Sequence, residues 1–192
     1  MEKIRRRFRK DDVLQFEEKE LETNLGKRNF IFVESGNDLF AKNIPEKWII
    51  DTLDYCNHYD NKYLFQSKNP GRIIDYMTHP VFCKTFVCTT IETNRWYDCM
   101  GTAPATVDRA NKMGIISEYF PVYITIEPVL DFDLPAMVNL IKKCNPKQVN
   151  IGADTGNNNL PEPSKGKVLE LIETLSLFTH VKQKSNLRRI LN

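Results

Sequence analysis

The sequence contains no run of about 18 apolar residues, the length a membrane-spanning helix needs, so no insertion into a bilayer is expected. Its N-terminus is basic, but Asp11 and Asp12 stand where a secretory signal would place an apolar core. Cytoplasm is the location this implies. Histidine is scarce, with only His58, His79 and His180, and none lies in a two-histidine helix motif. There is no G-x-S-x-G elbow, no P-loop, and no G-x-G-x-x-G after the first predicted strand. A hydrolase or a dinucleotide-binding enzyme therefore has no motif to rest on. The five cysteines, Cys56, Cys83, Cys88, Cys99 and Cys144, are odd in number and irregularly spaced, which excludes a disulfide framework of the secreted kind. Cys83 and Cys88 are separated by four residues and no second knuckle follows, so they read as reduced thiols and not as a zinc site.

Charge is present but uneven. The net charge is only +2. Residues 1–10 carry Lys3, Arg5, Arg6, Arg7, Arg9 and Lys10 against Glu2, a net +5. Residues 182–192 carry Lys182, Lys184, Arg188 and Arg189 with no acid, a net +4, which leaves −7 for the middle. A basic arm over residues 1–12, and Arg5, Arg6, Arg7, Arg9 and Lys10 in particular, has the composition that grips phosphates or a partner, since each cation displaces condensed counterions. A solvated helix face or frayed end has the same composition.

The 192 residues predict a single domain. Residues 17–25 are rich in helix formers and lead to Gly26, placed as a C-terminal cap. Short apolar runs rich in β-branched and aromatic residues then occur at 29–33, 62–66, 85–91, 122–126, 148–151 and, more weakly, 180–183. Helical patterns separate them. Trp48, Ile49, Leu53 and Cys56 follow Pro45, a short helical segment covers Ile73–Tyr76, and 104–116 carries Val107, Ala110, Met113 and Ile116. Residues 134–144 and 164–178 complete the series, the latter beginning at Ser164. This alternation predicts an α/β fold whose parallel sheet is buried on both faces. The first choice is a partial (β/α) barrel and the second an open doubly wound sheet.

In either architecture ligands bind beyond the carboxyl ends of the strands. Glu34, Ser35 and Asp38 follow the first strand, and Lys68 follows the second. Glu92, Asn94 and Arg95 follow the third, Glu127 and Asp131 the fourth, and Gly152 and Asp154 the fifth. Carboxylates after four strands can bind ribose hydroxyls, amines or a metal, or exchange protons. Alternatively they cap the following helices or pair with Lys and Arg, and Asp131 and Asp133 read as such caps.

Five segments together resemble an uncharacterised branch of the radical S-adenosylmethionine (SAM) superfamily often found in phages and prophages. They are NFIFVESGNDLFAKNIPEKWI (29–49), KYLFQSKNPGRI (62–73), TTIETNR (89–95), TIEPVLDFDL (125–134) and VNIGADTGNNNLPEPS (149–164), in the family's order and spacing. The resemblance implies a barrel that begins with a strand and a three-cysteine loop, whose thiolates hold a [4Fe–4S] cluster that cleaves SAM. RRRFRKDD (5–12) resembles the stretch just after that loop, so the first strand and the triad are missing, and the five cysteines do not reproduce it. By the same resemblance Glu34 and Ser35 lie near the methionine amine, Glu92 and Asn94 near the ribose or carboxylate, Glu127 beside them, and Gly152 to Asp154 along the adenine. Glu34 departs from the small or amide residue usual there.

These observations predict a cluster-less protein that acts by binding a macromolecular partner, nucleic acid or a nucleoprotein complex among the candidates. No cofactor is expected, SAM binding stays open because the resemblance keeps only part of its site, and a [4Fe–4S] cluster enters only if the missing loop is supplied elsewhere. In that alternative the chain is the C-terminal portion of a radical SAM enzyme. A third reading has the carboxylates binding a metal or nucleotide. Loss of a first strand also predicts an uncovered edge at 29–33, available to the N-terminal arm, to another chain or to a dimer.

Overall fold

Short β-branched runs bounded by turns have little choice but to pair, and in this chain they pair with their sequence neighbours. The computed structural model describes residues 14–33, 36–156 and 158–192. The strands are β1 (Phe30–Val33), β2 (Lys62–Gln66), β3 (Thr85–Thr90), β4 (Val122–Ile126), β5 (Gln148–Ile151) and β6 (His180–Gln183). Between and after them lie α1 (Glu46–Asn57), α2 (Pro70–Ile74), α3 (Thr106–Ser117), α4 (Leu134–Lys143), α5 (Lys165–Ser176) and α6 (Arg188–Leu191). Every strand pair is parallel, and the order is β1-β2-β3-β4-β5-β6. The sheet does not close: among the described residues the outer edges of β1 and β6 have no partner strand.

A strictly sequential order lacks the reversal that defines a doubly wound sheet, and right-handed crossovers then put all helices on one face. This open α/β architecture with an all-parallel sheet is consistent with part of a (β/α) barrel. Register assigns the two faces. Tyr63, Phe65, Val87, Ile124, Ile126, Val149 and Ile151 face the helices and belong to the core cluster, with Ile31, Val33 and Val181 packed against it. The alternate positions form the opposite face, led by Phe30, Phe32, Leu64, Phe86 and Tyr123, and none of these five belongs to that cluster. The expectation of a sheet buried on both faces holds for the central strands β3 and β4, where Cys88, Thr90 and Thr125 of the opposite face are also buried, and is corrected for β1, β2 and β5, which alternate in burial.

Two local differences have physical causes. Residues 17–25 form only a 3-10 turn, Glu18–Glu22, that buries no residue. Good helix formers without an apolar stripe gain nothing from packing, and a lone short helix is marginal in water. Gly26 nonetheless adopts the left-handed conformation expected of a terminating glycine, with φ +65°. In α3 the buried stripe is Thr106, Arg109, Ala110, Met113 and Ile116, while Val107 is 45% exposed. The stripe is rotated from the one expected, and it carries an arginine inward. No described helix is long and apolar enough to cross a membrane.

Candidate functional site

The carboxyl ends of β2 to β5 open on a cavity of 270 Å³ lined by Lys68, Glu92, Met100, Pro128, Leu130 and Leu160, among others. Glu92 sits two residues beyond β3 and is 2% exposed. It is held by Arg109 of α3, itself 1% exposed, whose Nη1 lies 2.9 Å from Glu92 Oε2 and donates at 2.7 Å to the Thr90 carbonyl. Arg109 Nε donates to the Pro104 carbonyl at 2.6 Å. Lys68 Nζ approaches Glu92 Oε1 to 2.5 Å, an ion-pair contact without hydrogen-bond geometry. Burial pushes the Glu92 carboxyl up, but the charges of Arg109 and Lys68 outweigh it and hold the group below the usual range. Arg109 was not among the expected site residues. The signal for it was the 106-109-110-113 spacing, which places it on the buried side.

The other expected residues belong to three separate networks. Glu127 pairs with Lys184 and accepts from Asn186 Nδ2 at 2.6 Å, which also donates to the Ala153 carbonyl at 2.8 Å. Gly152 lies against this group: a β-carbon there would stand 2.6 Å from Glu127 Oε1. Asp154 folds its own loop, accepting from the backbone N–H of Gly156 at 2.9 Å and of Asn158 at 2.5 Å, and from Asn158 Nδ2 at 2.8 Å. Asn94 binds Asp133 through Nδ2 at 3.2 Å and accepts from the Asp133 N–H at 2.8 Å. Arg95 bridges Asp131 and Asp133, and Lys167 closes on Asp131. Asp133 occupies the N-terminal cap position of α4, yet its side chain makes no cap hydrogen bond because Arg95 and Asn94 take its oxygens. The reading of Asp131 and Asp133 as caps is corrected accordingly.

Of the expected ligand residues that are described, Glu92 lines the cavity, and Asn94, Glu127, Gly152 and Asp154 do not. Glu34 and Ser35, and the arm residues Arg5, Arg6, Arg7, Arg9 and Lys10, lie outside the described residues. Cys56, Cys88 and Cys144 are buried and Cys83 and Cys99 exposed. Burial pushes the Cys88 and Cys144 thiols up to about 12. No group of three or more His, Cys, Asp or Glu is placed to hold a metal among the described residues.

Four carboxylates here are held below their ordinary range. Lys167 is the main cause at Asp131, the N–H groups of Asn158 and Gly156 at Asp154, and Arg95 at Asp133, which falls to about 2. Glu92 is the fourth. A carboxyl lowered in the folded state binds its proton less readily than in the unfolded chain, so its stabilisation is present above the unfolded value. It disappears as pH falls through the folded one. Urea midpoints are expected to be flat from pH 7 to 5 and to drop steeply from about pH 4 towards 2. An unchanged midpoint at pH 3 would mean these pairs add nothing.

No protein-family model, curated protein or solved structure matches the chain.

Proposed function

We propose that this chain is a phage-type, radical SAM-like partial barrel, working in the cytoplasm, that acts by binding a macromolecular partner and not by cleaving SAM. One observation carries the reading. The carboxylates at the strand ends are engaged within the chain, by Arg109 and Lys68, by Lys184 and Asn186, and by the loop of Asp154, while the sheet face opposite the helices leaves Phe30 and Phe32 exposed at β1. A site already neutralised by its own cations has little left to recognise a charged cofactor. An uncovered sheet face remains a surface in want of a partner.

A second reading is favoured by a different observation, the outer edge of β1, which has no partner strand among the described residues. There a strand and cluster loop from another polypeptide would complete a radical SAM enzyme, with Lys68 and Glu92 lining its cavity.

The test is melting temperature with and without SAM and S-adenosylhomocysteine, on protein reconstituted anaerobically with iron and sulfide. A ligand at a hundred times its Kd would raise the melting temperature of a chain this long by about 5–10 °C. The expected result is a colourless protein and no shift. A brown protein with a shift of that size would replace the first reading with the second.

A further inference from the structure

We infer that the open face of the sheet binds single-stranded nucleic acid. The inference rests on the reading of the chain as a binding protein and names its partner. Strand alternation and register put Phe30, Phe32, Leu64, Phe86 and Tyr123 together on this face. Phe30 of β1 and Phe86 of β3 have ring centroids 5.4 Å apart, and Phe86 and Tyr123 5.2 Å. Strands separated by one neighbour stand about 9–10 Å apart. The side chains of β1 and β3 therefore converge over β2, and the face is concave. Phe30 is 53% and Phe32 42% exposed, so the aromatic ladder is open at its β1 end.

Towards the carboxyl ends the same face becomes polar, with Thr90 and Thr125 buried on the central strands and Gln66 and Asn150 half-buried beside them. Gln66 Nε2 donates to Thr90 at 3.3 Å, and Gln148 Nε2 to Asn150 Oδ1 at 2.7 Å. Gln66 Oε1 and Asn150 Nδ2 are left to meet base edges. Lys62 opens β2, Lys182 lies on the edge strand β6, and neither makes an ion pair among the described residues. No strand position on this face is Asp or Glu.

Aromatic rings that accept flat π-faces, amides that read edges, and cations unopposed by carboxylates are the three components of a single-strand platform. A duplex keeps its base faces stacked inside and cannot offer them to a concave sheet. An apolar peptide would cover the rings but gain nothing from Lys62 and Lys182. A strand of nucleic acid uses all three.

The experiment is fluorescence anisotropy of the full chain with labelled oligo(dT) and oligo(U) of about 12 nucleotides, and with a duplex of equal length, over a salt series. Either single strand is expected to bind more tightly than the duplex. Phe32→Ala should weaken binding roughly tenfold, the loss of one stacked base. Lys182→Gln should reduce the salt slope by about 0.7, one phosphate contact on a single strand. Circular dichroism melting of both variants checks that they fold, which the exposure of both side chains favours.

Three results would overturn the inference. One is no single-strand binding at about 100 µM protein. Another is binding that Phe32→Ala leaves intact but neutralising Arg5, Arg6 and Arg7 to glutamine abolishes, which would assign it to the arm. The third is a dimer in sedimentation that Phe32→Ala dissolves, which would give the face to a second copy. Each of these leaves the binding-protein reading standing, because that reading fails on a different observable, the colour and SAM-dependent melting shift.

Discussion

Replacing Arg109 by methionine is expected to cost about 3–5 kcal/mol of folding stability, read as a lowered urea midpoint at pH 7. Arg109 and Glu92 are 1% and 2% exposed, so neither charge can turn to water when its partner is removed. Methionine would leave the Glu92 carboxylate with Lys68 alone, whose side chain is 42% exposed and shares its field with solvent. The Thr90 and Pro104 carbonyls would also lose their donors. A deficit below about 1 kcal/mol would show that water reaches the pair and that its burial is only apparent.

Two further readouts separate a charge effect from a packing effect. Arg109 Nη2 is buried without a hydrogen-bond partner, so the native pair is not fully satisfied. Removing both charges, as Arg109→Met with Glu92→Leu, is therefore expected to recover most of the loss. The deficit of the single variant should also shrink from pH 7 to pH 4. Over that range wild-type Glu92 stays largely ionised, because Arg109 and Lys68 hold its carboxyl below the usual range. In the variant burial dominates and raises the Glu92 carboxyl, so protonation relieves the strain of an isolated charge. A deficit caused by a cavity would not depend on pH.

Arg109 also marks where the sequence stopped being legible. Strands β2, β4, β5 and β6 have the bounds read from their apolar runs, because a short β-branched segment between turns has one way to be buried. The strand ends that would carry a site followed directly. What those ends pair with did not follow, since the partners come from far along the chain: Asn186 reaches Glu127 across 59 residues, and Arg95 reaches Asp131 across 36. A carboxylate after a strand looks the same whether it awaits a ligand or an arginine. Apolar residues on both sheet faces predict burial of both, which holds at β3 and β4 but not at β1, β2 and β5. Phe30, Phe32, Phe86 and Tyr123 are as hydrophobic as the residues under the helices, yet none of them joins the core cluster, and Phe30 and Phe32 stay exposed.

Gly152→Ala is expected to destabilise by about 2–3 kcal/mol, more than a typical surface glycine exchange, because the new methyl must displace side chains that are paired with each other. Its β-carbon would stand 2.6 Å from Glu127 Oε1 and 2.9 Å from Asn186 Oδ1. The backbone cannot retreat, since the Gly152 N–H donates to the Ile126 carbonyl at 3.0 Å and its carbonyl accepts from Val129 at 2.9 Å. Glu127 must move instead, releasing Lys184 and Asn186 and with them the segment that follows β6. Hydrogen exchange should accelerate first in β6 and at Lys184, whose N–H donates to the Ile151 carbonyl at 2.8 Å. Glu127→Ala makes room for the methyl, so the double variant should lose less than the sum of the singles, a coupling that a general backbone effect would not produce. The same pair of variants bears on function. If the double variant folds and still binds a single strand like wild type, Glu127 and Gly152 serve the scaffold, and recognition lies on the open face. If binding falls while stability recovers, the strand ends themselves take part.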